Sequence, residues 1–195
     1  MRVLMIGAPG AGKGTQAVRI ADRFGVTHIS SGDLLRKHVA EQTAIGRQIQ
    51  QHLAAGDLVP DGIVLDLLRK PIVAASAAGG YVLDGFPRTV QQAMAAYPVA
   101  VELGVAVQVV VHLAVPQVEL ERRLVERGAD SGRSDDNLEV IRYRLKVYDA
   151  HTLPMLDYYA GREQLITVDG AMGVDEVSEA VIAALEGVPG LVADG

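Results

Sequence analysis

The sequence contains no cysteine and no tryptophan, and only 2 of its 195 residues are phenylalanine. Without thiols there is no disulfide scaffold, no cysteine nucleophile and no thiolate-held zinc. Long apolar runs are missing too. The richest stretch, Val105–Val115, is interrupted by Gln108 and His112 and falls well short of the roughly 20 residues that cross a bilayer. It reads as a buried strand. The opening segment Met1–Ile6 meets a glycine-rich turn too soon to serve as the apolar region of a secretory signal, so a cytoplasmic protein with no membrane partner is expected. An excess of positive charge is also absent. With 18 Lys and Arg against 24 Asp and Glu, the net charge is −6, and nothing draws the whole surface towards nucleic acid. Any anion site must be a local cluster. The five histidines, at 28, 38, 52, 112 and 151, show no metal-ligand spacing, and His28 and His112 are expected to pack near strands.

What is present is a 49% hydrophobic chain of a length that buries one core, so a single domain spanning 1–195 is expected. Short β-branched runs at Val3–Ile6, His28–Ser30, Tyr81–Leu83, Val107–Leu113 and Leu165–Val168 alternate with longer amphipathic stretches. That alternation predicts an α/β fold with a five-stranded parallel sheet flanked by helices. One helix ends near Phe24–Gly25 and another starts at Gly32–Asp33. A helical region without a strong strand runs from Ser31 to Val73, and Pro71 predicts an end or a kink in the pattern Gly62–Ala75. A polar run, Gly128–Asn137, separates two helices and reads as a mobile loop. Asp136 with Glu139 fits a capping box that opens a helix running towards Tyr158 and bent at Pro154. The tail Gly187–Gly195 is expected to fray.

The strongest local signal is Gly7-Ala-Pro-Gly-Ala-Gly-Lys-Gly-Thr15, placed between a strand and a helix. Glycines let successive backbone N–H groups converge on phosphate oxygens, the helix adds its positive end, and Lys13 adds a point charge. Gly14 stands where a hydroxyl usually meets magnesium in the general motif, and the hydroxyl comes one residue later at Thr15. Asp84, ending the third strand, is placed to meet a water-coordinated Mg²⁺ at the sheet edge where such folds bind ligands; a surface or helix-capping Asp is the plainer reading. Between Arg122 and Lys146 lie seven of the 18 basic residues, Arg122, Arg123, Arg127, Arg133, Arg142, Arg144 and Lys146, with Arg123 and Arg127 on one helical face. Five acidic residues in the same window allow a simple solvated face instead.

Four segments, the glycine loop, Ser30-Ser-Gly-Asp-Leu-Leu-Arg36, Asp84-Gly-Phe-Pro-Arg88 and Arg133-Ser-Asp-Asp-Asn137, occur in an order and spacing that resemble the nucleoside monophosphate kinases, most closely the adenylate kinase family of the short-lid type. The resemblance covers Arg2 to Glu186. It implies a core of 1–30, 74–127 and 137–186, a monophosphate-binding insertion 31–73, a lid 128–136 and a tail 187–195. It implies the reaction MgATP + AMP ⇌ 2 ADP, keeping adenine nucleotides in balance, in a monomer whose partners are ATP, AMP and ADP. The nucleophile is an ionised phosphate oxygen, so positioning and charge stabilisation replace a general base.

Residue by residue, the resemblance places ATP at Gly10, Ala11, Gly12, Lys13, Gly14 and Thr15, with Arg123 stacking on its adenine and Arg127 on its phosphates. Arg36 and Arg88 take the AMP phosphate, and Arg133 and Arg144 contact the transferred phosphoryl group. Lys13, Arg88, Arg133 and Arg144 are thus the expected catalytic set. Ser31, where the family usually has Thr, Val59, Gly85 and Gln92 complete the AMP site, with Gln92 reading the adenine edge. On local sequence alone Ser31 could equally cap a helix and Gln92 be a surface amide. The hydroxyl at Ser31 and the amide at Gln92 favour AMP; a UMP or CMP kinase of the same fold is the second reading, and a small-metabolite kinase a third. A GTP-dependent switch needs an Asn-Lys-x-Asp motif, and the single Asn, Asn137, is in the wrong context. A non-catalytic nucleotide-binding module has no support in the sequence. The lid offers neither Cys nor His, so no zinc is expected there.

Overall fold

A computed structural model describes residues 1–131 and 137–191 of the chain, without the side chains of 130 and 131. Five strands, β1 Arg2–Gly7, β2 Thr27–Ser30, β3 Tyr81–Asp84, β4 Val109–Ala114 and β5 Gln164–Asp169, form one sheet in the order β2-β3-β1-β4-β5, parallel throughout. The expected α/β architecture is therefore present. Alternate residues of β1 point to opposite faces, as pleating requires. Val3 and Met5 join one cluster with Val109, Val111, Leu124, Ile141 and Val181, whereas Leu4 and Ile6 join a second with Val110, Ile29, Leu68, Phe86 and Met155. A sheet buried on both faces explains why its strands read as continuous apolar runs.

The helices are α1 Lys13–Phe24, α2 Ser31–Ala40, α3 Ala44–Ala55, α4 Asp61–Ala77, α5 Val90–Glu102, α6 Gln117–Ser131, α7 Leu138–Val147, α8 Met155–Ala160 and α9 Val174–Glu186. Helix α1 stops at Gly25, whose left-handed backbone (φ 65) lets its N–H close on Ala21 O. Helix α2 starts one residue earlier than expected. Its cap is Ser30, which accepts the Asp33 N–H at 3.2 Å, while Ser31 is the first helical residue and is buried. Ser31 is therefore not the cap that local sequence allowed.

Five other expectations are corrected. Helix α4 does not end at Pro71 but continues to Ala77. The missing N–H costs one ladder bond, and Leu68 and Ala75, buried on either side, hold the helix together. Helix α6 runs through Gly128 to Ser131, so the polar run begins later than its composition indicates. Helix α7 is capped by Asn137, whose Oδ1 accepts the Val140 N–H at 3.0 Å; Asp136 lies outside the described residues. The stretch after α7 is not one bent helix: a π-helical turn, Tyr148–Thr152, intervenes before α8. Finally, the tail packs as far as Leu191, with Val188 and Leu191 both buried against the first cluster. No helix among the described residues is long and apolar enough to cross a membrane.

Candidate active site

The carboxyl ends of β1, β2 and β3 open a crevice at the sheet edge where α/β folds bind ligands. The crevice is a cleft of about 1040 Å³. Gly10, Gly12, Lys13, Gly14, Thr15, Arg36, Asp84, Gly85, Arg88, Arg123, Arg127 and Arg144 all line it. Residues dispersed over the chain are thus brought to one space. Ala11 is the exception within the loop: it is buried behind it, its N–H bonded to Ala8 O at 3.1 Å. Ser31, Val59 and Gln92 line a small side pocket that shares Gly85 and Arg88 with the cleft. Arg133 lies outside the described residues. Arg122 and Arg142 are exposed and paired, Arg122 with Glu119 and Glu126 and Arg142 with Glu121, and Arg122 also lines the cleft. Lys146 is exposed as well.

Gly12, at φ 91, turns the loop into α1 in a conformation that costs a residue with a Cβ. Lys13, the first residue of that helix, folds back so that Nζ donates to Gly7 O at 2.8 Å and Ala8 O at 3.0 Å. Burial lowers its pKa from the ordinary 10.5 to about 8; the Asp84 carboxylate opposes the shift, while Arg88, Arg144 and Arg127 reinforce it. The protonated form is therefore disfavoured in the fold. Lys13 weakens folding below pH about 8, and that penalty fades as pH rises towards 10.5. An anionic polyphosphate in the loop reverses the shift. Nucleotide binding between pH about 8 and 10.5 is expected to take up a proton, and titration calorimetry in buffers of different ionisation enthalpy measures it. Equal apparent enthalpies in all buffers would remove this electrostatic account of Lys13.

The carboxylate of Asp84 sits beside the loop: a Cβ at Gly14 would lie 3.8 Å from its Oδ2. Its Oδ1 is buried without a hydrogen-bond partner. A buried, unsatisfied carboxylate oxygen is costly unless something polar meets it, and a hydrated Mg²⁺ is a group that would. The residues present therefore fit magnesium held through water by Asp84. Among the described residues, no three His, Cys, Asp or Glu are grouped to hold a metal directly.

Arg88 is held from several sides. Its Nε donates to Gly85 O at 2.7 Å, its N–H to Gln92 Oε1 at 2.7 Å, and its carbonyl accepts from Thr152 Oγ1 at 2.7 Å. Gly85 has φ +84, and a Cβ there would meet Ser31 Oγ at 2.6 Å, so only glycine fits. Arg36 donates to Asp33. Arg123 is braced by Glu119 at 2.6 Å and by the carbonyls of Gly170 and Ala171, which sets its guanidinium at the cleft rim. Hydrogen bonds from Arg122 and Arg123 pull the Glu119 carboxyl down to about 2. Arg144 runs along Gly56, where a Cβ would lie 2.7 Å from its Cγ, and Tyr143 Oη donates to Asp57 Oδ1 at 2.7 Å.

Sequence reasoning missed His28 at this site. It stands on β2 two residues before Ser30 and lines the cleft, with its Nε2 buried and without a partner. Alternation on β2 was the available signal, because Ile29 between them turns into the core. Thr152, Asp61 and Glu119 were also missed: they contact Arg88, Gln92 and Arg123, and no local motif marks them.

A family model described as "Adenylate kinase" matches residues 5–164. The chain belongs to the adenylate kinase family. An adenylate kinase of Kocuria rhizophila is 44% identical over 185 residues, 95% of this chain and 98% of the relative. One of Nocardia farcinica is 44% identical over 95% of this chain and 99% of its own length. One of Leptospira biflexa is 42% identical, covering 94% and 99%. The expected fold and enzyme class therefore stand: the chain is a phosphate-loop nucleoside monophosphate kinase, an ATP-dependent phosphotransferase.

Proposed function

We propose that the cleft transfers the γ-phosphoryl group of MgATP to AMP, giving two ADP, and that the acceptor is AMP and not a pyrimidine monophosphate. The observation that carries this reading is the convergence of Lys13, Arg36, Arg88, Arg127 and Arg144 around one cleft, with Gln92 at the adjoining side pocket. Phosphoryl transfer is catalysed chiefly by alignment and by charges aimed at the phosphoryl oxygens, and this cluster supplies both. In the reading, the loop Gly10–Thr15 holds the ATP phosphates and Lys13 leaves its loop carbonyls to meet the transferring group. Arg123 packs on the ATP adenine and Arg127 pairs with its phosphates. Arg36 and Arg88 fork onto the AMP phosphate, and Arg144 spans the two substrates. Magnesium, held by Asp84 through water, would supply charge neutralisation at the polyphosphate when bound.

The lining of the side pocket supports a purine acceptor, and at about 20 Å³ the pocket must widen to admit the base. Val59, Val64 and Leu35 give it apolar walls, Gln92 a hydrogen-bonding edge, and Ser31 Oγ is buried without a partner. The finer reading also includes a cytoplasmic monomer that keeps adenine nucleotides in balance. An analogue joining two adenosines through five phosphates tests the site directly: it is expected to bind one per chain and to compete with both ATP and AMP. Two analogues per chain, or competition with ATP alone, would place the acceptor elsewhere.

A further inference from the structure

Gln92 is 3% exposed, and both ends of its amide are already engaged. Oε1 accepts the Arg88 backbone N–H at 2.7 Å, and Nε2 donates to Asp61 Oδ1 at 2.6 Å. A side-chain amide has two lone pairs on its oxygen and two hydrogens on its nitrogen. One of each is therefore left for a ligand. Turning the amide over would set Nε2 against an N–H and Oε1 against a carboxylate, exchanging two hydrogen bonds for two repulsive contacts. The order of acceptor and donor that Gln92 shows a ligand is thereby fixed.

That order matters because two classes of purine differ in it. The edge of a 6-aminopurine presents an N6–H donor beside the N1 acceptor, and a 6-oxopurine presents an O6 acceptor beside an N1–H donor. A free glutamine serves either by rotating its amide. We propose that Asp61 is a positioning residue that locks the Gln92 amide, so that the acceptor pocket takes a 6-aminopurine monophosphate and rejects a 6-oxopurine one. The inference rests on reading the side pocket as the acceptor-base site. Arg36 and Arg88, by anchoring the phosphate, keep the base from entering the other way round. A 6-oxopurine then leaves buried polar groups unpaired on both sides, which is how a site built for one hydrogen-bonding edge discriminates strongly.

Asp61 is the first residue of α4, exposed to solvent except where it reaches Gln92, and lies 31 positions from it in sequence. Asparagine at this position has nearly the same shape but can donate as well as accept, so it removes the carboxylate's hold on the amide and leaves the Arg88 N–H as the one remaining constraint. The test compares kcat/KM for AMP and for inosine monophosphate, which differ at position 6 and N1, in the wild-type enzyme, Asp61→Asn and Gln92→Ala. The AMP-to-IMP ratio is expected to fall at least about tenfold in Asp61→Asn, through a higher KM for AMP and a gain with IMP. Asp61→Glu, which keeps a carboxylate, restores most of the ratio. Asp61→Ser, which retains a helix-starting side chain, serves if Asp61→Asn does not fold, with the same fall expected. An unchanged ratio, or an equal loss with both acceptors, overturns the lock. Gln92→Ala separates the two levels of the argument. If it leaves the KM for AMP untouched, the base does not sit in this pocket and the acceptor reading fails. If it raises that KM while Asp61→Asn leaves the ratio intact, only the role of Asp61 fails.

Discussion

Replacing Lys13 by methionine is expected to lower turnover by at least ~100-fold, about 2.7 kcal/mol of transition-state stabilisation, with little loss of fold stability. The two halves of that expectation have one origin. Lys13 is charged in a place that disfavours charge, between its own loop carbonyls and the guanidinium groups of Arg88, Arg144 and Arg127. In the proposed function such a group is tolerated because the anionic nucleotide meets it. Methionine has similar length and no charge to bury, so the melting temperature should hold or rise while catalysis collapses. Steady-state kinetics with MgATP and AMP, alongside a thermal melt, measure both. Near-normal turnover would take Lys13 out of the mechanism, and a large drop in melting temperature would show that its bonds to Gly7 O and Ala8 O are structural.

Arg88→Ala is expected to cost about 2–5 kcal/mol in acceptor binding and transition-state stabilisation together, the range for truncating one partner of a desolvated charge pair. Its backbone N–H bond to Gln92 and its carbonyl bond from Thr152 survive the substitution, so the loss belongs to the guanidinium. Arg88→Lys should recover little, because a single ammonium cannot fork onto two phosphate oxygens. The loss should fall on AMP kinetics and leave the KM for MgATP nearly unchanged. Intact AMP kinetics would mean that the acceptor phosphate lies elsewhere.

The parts of the fold that sequence made legible are those where local chemistry and tertiary packing ask for the same thing. β-branched runs such as Val109–Val111 mark strands because both faces of the sheet are covered. The glycine loop announces itself because phosphate binding needs backbone N–H groups between a strand and a helix. Of the end or kink that Pro71 allows, the end does not occur, because buried residues on either side, Leu68 and Ala75, keep the helix on the core. At Asn137 and Asp136 two adjacent residues both fit a cap, and only the structure shows which side chain meets the Val140 N–H. The tail was read from its glycines and Pro189, which say nothing about Val188 and Leu191 finding the core.

The site divides in the same way. Residues proposed to meet phosphate are arginines, a lysine and glycines in short motifs, and motifs are local. Residues that set those groups in place come from afar: Asp61 reaches Gln92, Thr152 reaches Arg88, and Asp57 reaches Tyr143. No spacing in one sequence connects such pairs, because the topology of the sheet brings them together.

The most direct test of the central claim is ADP formation from MgATP with AMP, GMP, CMP or UMP as acceptor, beside a control without acceptor. Rapid turnover with AMP, slow turnover with the other three and little hydrolysis in the control are the predicted result. A preference for CMP or UMP would contradict the reading of Ser31 and Gln92 while leaving the phosphate cluster in place, and rapid hydrolysis without acceptor would contradict transfer to a nucleotide altogether.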